Sequence, residues 1–100
     1  MKEADLTKQI RSLLKVVGIY HYKQHQGLGS TPGIADIIGI YKGRYLAIEI
    51  KGQGGRISPR QQEFIDRVNA EGGLGFFAWS VDDVVAQLGI EGRVFFQGRH

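Results

Sequence analysis

A chain of 100 residues with 42% hydrophobic and 23% charged side chains suits one folded domain spanning 1–100, not a disordered tail. It has no cysteine, which excludes a disulfide framework and any thiolate metal site, and no apolar run approaches the ~20 residues of a membrane span. The net charge of +3 hints at a polyanionic partner, and Met1-Lys2-Glu3 begins no signal peptide, so the expected location is cytoplasmic, the host cytoplasm if the chain is viral.

Residues 2–17 read as a helix. Leu6, Ile10, Leu13, Leu14 and Val17 recur at the spacing of one apolar stripe, and Gly18 ends it. Glu3 extends that stripe toward the core. Two readings stay open for it: an acid favoured by the helix dipole, or an inward-pointing ligand at the helix end. Asp5 falls off the stripe.

Residues 19–24 alternate and are rich in strand formers. His21 and His25 lack a third metal ligand at a suitable spacing, which favours solvated or hydrogen-bonded roles. Residues 26–33 form a loop containing Gly27, Gly29, Ser30, Thr31, Pro32 and Gly33. It either closes over a phosphate or serves as an ordinary connector.

The stretch from Asp36 to Lys51 carries the strongest signal. Two apolar runs flank Lys42-Gly43, a tight-turn pair, and so predict a hairpin. A turn centred there pairs Tyr41 with Arg44, Ile40 with Tyr45 and Ile38 with Ala47. The same register sets Asp36 opposite Glu49, with Lys51 on the face of Glu49. Ile37, Leu46, Ile48 and Ile50 form one apolar face, and Ile38, Ile40 and Ala47 the other, so the hairpin is expected to be covered on both sides. Two facing acids destabilise a buried sheet unless they are paired or bind a metal. A hard cation such as Mg2+, which takes one or two carboxylates plus water and phosphate, would relieve the repulsion. The alternative is a solvated strand face.

Residues 52–57 make a glycine-rich turn with Gln53 and Arg56. Ser58-Pro59-Arg60-Gln61 then starts a helix, with Ser58 as N-cap and Pro59 at the first position. Gln61 either closes the capping box or, sharing a stripe with Phe64, Ile65 and Val68, points at the hairpin. Gly72-Gly73 ends the helix. Residues 74–79 read as a core strand. Ser80 and Asp83 begin a short helix with Val81, Val84, Val85 and Leu88 on its apolar side. Arg93-Val94-Phe95-Phe96 reads as an edge strand or an interface segment.

This order, with Gly33-Ile34-Ala35-Asp36, Glu49-Ile50-Lys51 and Arg56-Ile57-Ser58-Pro59-Arg60-Gln61, resembles the PD-(D/E)XK nuclease superfamily, and within it the virus-type replication-repair (VRR-NUC) domain. The likeness spans Glu3 to Leu88. It implies an α/β fold with a restriction-endonuclease-like αβββαβ core, a central mixed sheet flanked by helices. It also implies that Asp36, Glu49 and the Ile50 backbone carbonyl bind Mg2+ or Mn2+. Glu3 would complete the acidic set directly or through water. Lys51 would position or activate the attacking water, and Gln61 would stand near the site. Ala35 departs from the proline that the family often has there.

Among the basic residues, Arg11, Lys15, Lys23, Lys42, Arg44, Arg56, Arg60 and Arg67, together with Ser30, are candidates for phosphate contacts, which set affinity but not sequence choice. Nothing resembles a base-reading helix. The expected activity is therefore structure-selective cleavage of branched DNA, as in a Holliday-junction resolvase, by a homodimer. A flap or fork endonuclease and an inactive DNA-binding module are the alternatives.

Overall fold

The structure is a computed structural model that describes residues 1–25 and 31–92. Ser30 and the segment from Arg93 to Phe96 lie outside the described residues. The elements are α1 (Glu3–Val16), β1 (His21–Lys23), β2 (Ile37–Tyr41), β3 (Arg44–Ile50), α2 (Pro59–Ala70), β4 (Leu74–Ala78) and α3 (Val81–Leu88). This is the αβββαβ order expected, followed by α3.

The strands lie side by side in chain order. β1, β2 and β3 are successively antiparallel, while β4 runs parallel to β3. The α2 segment between β3 and β4 provides the crossover that a parallel pair requires. The β2–β3 register is Ile37 with Ile48, Ile38 with Ala47, Ile40 with Tyr45 and Tyr41 with Arg44. Its turn has φ 52° at Lys42 and 78° at Gly43. Positive φ at both central residues marks the primed turn that matches strand twist, and it fixes this register.

Apolar layers cover both faces of the sheet. On one, Leu6, Ile10 and Leu14 of α1 and Val84 and Leu88 of α3 pack on Ile37, Leu46, Ile48 and Ile50. On the other, Ile65 and Val68 of α2 pack on Ala35, Ile38 and Ala47. The second layer covers only part of its face. Ile40, expected in the core, is 55% exposed, and its partner Tyr45 is also exposed. The cover of α2 falls on Ala35, Ile38 and Ala47 and leaves the Ile40–Tyr45 pair at the hairpin tip bare.

Both later helices start on their serines. Ser58 Oγ accepts from Gln61 N–H, and Ser80 Oγ accepts from Asp83 N–H. Gly89 closes α3 in the left-handed region. Among the described residues, no helix is long and apolar enough to cross a membrane.

Candidate active site

Asp36 lies just before β2, and Glu49 and Lys51 lie at the end of β3, so all three reach one end of the sheet. The observed pairing of Ile37 with Ile48 brings Asp36 level with Glu49. Gly33 sets the approach to Asp36. It has a φ of 74°, and a Cβ there would lie 2.4 Å from the Arg60 carbonyl oxygen. Only a glycine lets this loop rest on the first turn of α2.

Asp36 Oδ2 accepts the Ile50 N–H at 2.8 Å. The Lys51 N–H turns the other way and donates to Ala78 O at 2.9 Å. Backbone groups alternate sides along a strand, so the Ile50 carbonyl faces the same side as Asp36.

Glu49 and Lys51 are each only 5% exposed. Burying charged groups is costly unless each is partnered, and here the partners are present. Lys51 Nζ donates to the Arg56 carbonyl and to Gln61 Oε1, both at 2.6 Å, and lies 3.6 Å from Glu49 Oε2. Gln61 Nε2 donates to Glu49 Oε2 at 2.9 Å. Gln61 Oε1 also accepts the Ser58 N–H at 3.0 Å, closing the capping box. The two readings of Gln61 are thus both realised by one side chain.

The Glu49 carboxyl is raised to about 7. Burial is the main cause, the negative Asp36 adds to it, and Lys51 opposes it. The two acids therefore hold more negative charge than the site can settle, and a proton or a cation relieves it.

Glu3 is not gathered with this pair. It is exposed in the first turn of α1, against the 52–55 loop, where a Cβ on Gly52 would lie 2.9 Å from Glu3 Cγ. A Cβ on Gly55 would lie 3.4 Å from Lys51 Cδ and 3.6 Å from Glu3 Oε2, so these two side chains flank that glycine. The N-terminal end of α1 and the 52–55 loop border a hollow of about 620 Å3. Among the described residues, no group of three or more His, Cys, Asp or Glu side chains is placed to hold a metal. The protein side chains available there are the Asp36–Glu49 pair. That donor set suits Mg2+, which is commonly held by one or two carboxylates with water and substrate phosphate.

The proposed phosphate-contacting residues divide. Arg56 and Arg60 are exposed beside the site, at the start of α2, and Lys23 is exposed on β1. Lys42 and Arg44 sit at the hairpin tip, at the opposite end of the strands. Arg44 donates to the carbonyls of Gly72 and Gly73 at 3.0 and 2.7 Å, so it ties down the end of α2, and Lys42 Nζ lies over the Tyr41 ring. Neither is near the acids. Arg67 pairs with Glu71. His21 Nδ1 is within hydrogen-bonding distance of Ile19 O, the bonded role expected for it. The Arg56 carbonyl, which anchors Lys51, is invisible to sequence reading because every residue carries one.

A family model described as the VRR-NUC domain matches residues 2–81. The chain belongs to the VRR-NUC family. VRR-NUC is a nuclease domain, which makes DNA the substrate class. Two solved structures share the fold. One, titled "VRR_NUC domain protein", has a TM-score of 0.69 at 22% identity, covering 86% of this chain and 84% of that one. Another, titled "VRR_NUC domain", has a TM-score of 0.71 at 20% identity, covering 89% of this chain and 96% of that one. No curated protein matches the chain. All three signature stretches lie inside the VRR-NUC match, and so do Glu3, Asp36, Glu49, Lys51 and Gln61.

Proposed function

We propose that this chain is a metal-dependent, structure-selective endonuclease that hydrolyses phosphodiester bonds in branched DNA, with four-way junctions as the preferred substrate. The observation that supports this reading is the hydrogen-bonded set at one end of the sheet, in which buried Glu49 and Lys51 are joined by half-buried Asp36 and Gln61. Facing acids, a fixed ammonium and an amide that holds both are a costly arrangement for stability alone.

Asp36, Glu49 and the Ile50 carbonyl would hold Mg2+ or Mn2+, with Glu3 joining through water. When bound, the ion would supply Lewis acidity at the phosphate and lower the pKa of a bound water. The remaining work falls to the chain. The Ile50 N–H fixes the rotation of Asp36. Gln61 orients Glu49 and Lys51 against each other. Two of the three ammonium hydrogens of Lys51 serve Arg56 O and Gln61 Oε1, which leaves one for the Glu49 side and the water or phosphate there. Its positive charge sits where negative charge grows during attack.

Exposed Arg56 and Arg60 flank the site and suit phosphate contacts. A domain this small offers little surface to embrace a junction alone, so the active form is taken to be a homodimer with two sites.

The test is cleavage of labelled four-way, flap and fork DNA with Mg2+, Mn2+ or EDTA. Cutting of the junction with either metal and none in EDTA is expected. A preference for flaps or forks would redirect the reading to an endonuclease of that kind. Binding without cutting under any metal would leave an inactive DNA-binding module. Sedimentation at several concentrations tests the dimer, and a monomer throughout would refute it.

A further inference from the structure

A groove of about 940 Å3 runs between α1 and β1, and nothing in the proposed chemistry uses it. α1 runs away from the end of the sheet that holds the acids, and β1 returns toward it. β1 ends at Lys23, and the N–H of the next residue, Gln24, donates to Asp36 O at 2.7 Å. One mouth of the groove therefore opens beside the site, near Ala4 and Lys23, and the other lies at Gly18.

Its walls carry one sign of charge. Lys8, Arg11 and Lys15 are exposed on the α1 side, Lys23 is exposed on the β1 side, and among the described residues no acid lines the groove. Positions i, i+3 and i+7 place the first three on one helix face. Among the described residues, none of these four is ion-paired, since the two salt bridges are Lys51–Glu49 and Arg67–Glu71. Arg11 leans across the floor, its Nε 3.5 Å from His21 Nε2. Ser12 adds a hydroxyl to the lining. Like charges at such helical spacing repel one another, and a bound anion relieves that repulsion.

The spacing suits a repeating anion. At a rise of ~1.5 Å per residue, Lys8 to Lys15 spans roughly 10 Å. Phosphates of one DNA strand recur about every 3.4 Å along the duplex axis, and further apart along the winding backbone itself. The helix face thus spans about two to three successive phosphates, with Lys23 facing them from β1.

We infer that this groove holds the backbone of the DNA flanking the cut, on one side only, through about two or three phosphates. The inference rests on the nuclease reading and adds a direction to it: the substrate leaves the site along α1. Lysine and arginine contacts to phosphate carry no base information, so the grip is independent of sequence.

The test measures binding of the full chain to four-way DNA in EDTA across a salt series, and cutting with Mg2+. The triple variant Lys8→Gln, Arg11→Gln and Lys15→Gln keeps good helix formers on an exposed face. It should bind at least tenfold more weakly, with a salt slope shallower by roughly 2 to 3, because each lost phosphate contact removes about 0.9. Its melting temperature should match the parent's, which reports an intact fold. Lys23→Gln, on the opposite wall, should act in the same direction on its own. Uncharged methylphosphonate links on one flank should weaken binding by the parent chain and not weaken the triple variant further. Unchanged affinity and salt slope in both variants, with a parent that binds and cuts, would overturn the groove and leave the nuclease reading standing. A parent that neither binds nor cuts DNA would remove both.

Discussion

Gln61 donates to Glu49 through Nε2 at 2.9 Å, while its Oε1 accepts from Lys51 and caps its own helix at Ser58. The start of α2 and the chemistry at the end of β3 are thereby one hydrogen-bonded unit. Gln61→Ala should keep the bond from the residue-61 N–H to Ser58 Oγ, lose the side-chain half of the capping box, and leave Glu49 and Lys51 each short of a partner. The lost half of the box costs up to about 1 kcal/mol, and a buried group left unsatisfied costs ~1–3 kcal/mol. A fall of about 2–4 kcal/mol is expected on thermal or urea melting, with loss of cutting. Ser58→Ala should cost only about 1 kcal/mol and keep most activity. Equal behaviour of the two variants would show that Gln61 is merely a cap.

Lys51→Ala should abolish cutting, by at least ~100-fold on the scale of losing one charge-stabilising donor, while junction binding in EDTA stays largely intact. Lys51→Arg should fail to restore it. The ammonium sits among three converging acceptors, Arg56 O, Gln61 Oε1 and Glu49 Oε2, which a planar guanidinium cannot meet together. Parent-like cutting by the alanine variant would reject the site assignment.

Glu49 sets the pH response. Its carboxyl is raised to about 7 from an ordinary 4.5, so between those values the folded chain keeps a proton that the unfolded chain has released. Its contribution to stability is full below about pH 4.5 and is lost as pH rises through about 7. Without divalent cation, the melting temperature should carry this downward component with rising pH, and Glu49→Gln should remove it. Mg2+ added near pH 6.5 should release protons, measurable in weakly buffered calorimetry. No proton release, together with no change in slope for the glutamine variant, would contradict the picture.

Asp36→Asn tests the pairing of the acids. The amide oxygen can still accept the Ile50 N–H, so the chain should fold, but the charge facing Glu49 is gone. The Glu49 carboxyl should then titrate lower than in the parent, as followed by carboxyl NMR, and cutting should be lost. An unmoved Glu49 titration would mean that the two acids do not interact.

Gly33→Ala should be more harmful than a usual surface change. A side chain would meet both a φ of 74° and the Arg60 carbonyl at 2.4 Å. The left-handed conformation alone costs ~1–2 kcal/mol, so a melting-point drop larger than that is expected. A neutral result would show that this loop does not seat Asp36.

The hairpin register was legible in the sequence because a two-residue turn and a period of two leave few alternatives. The Asp36–Glu49 juxtaposition follows from it. Gln61 divided the readings because sequence spacing cannot say that one amide satisfies two demands from its two ends. Glu3 fits the core stripe by periodicity, yet a first-turn residue overhangs the sheet and meets the 52–55 loop instead. Lys42 and Arg44 illustrate the opposite limit. Their charge is plain in the sequence, but the turn between them carries both to the far end of the strands.

The bond from Asp36 to Ile50 closes a span of only 14 residues. Hairpins form within ~1–10 μs, whereas the parallel partner β4 waits on a helical crossover and pairs more slowly. In that order of events the two acids would meet while still bathed in water, and their mutual dislike would be felt in full only when the later elements dock over them. Consolidation of the last half of the fold, more than the birth of the hairpin, is the stage that a divalent ion or an acidic medium should hasten.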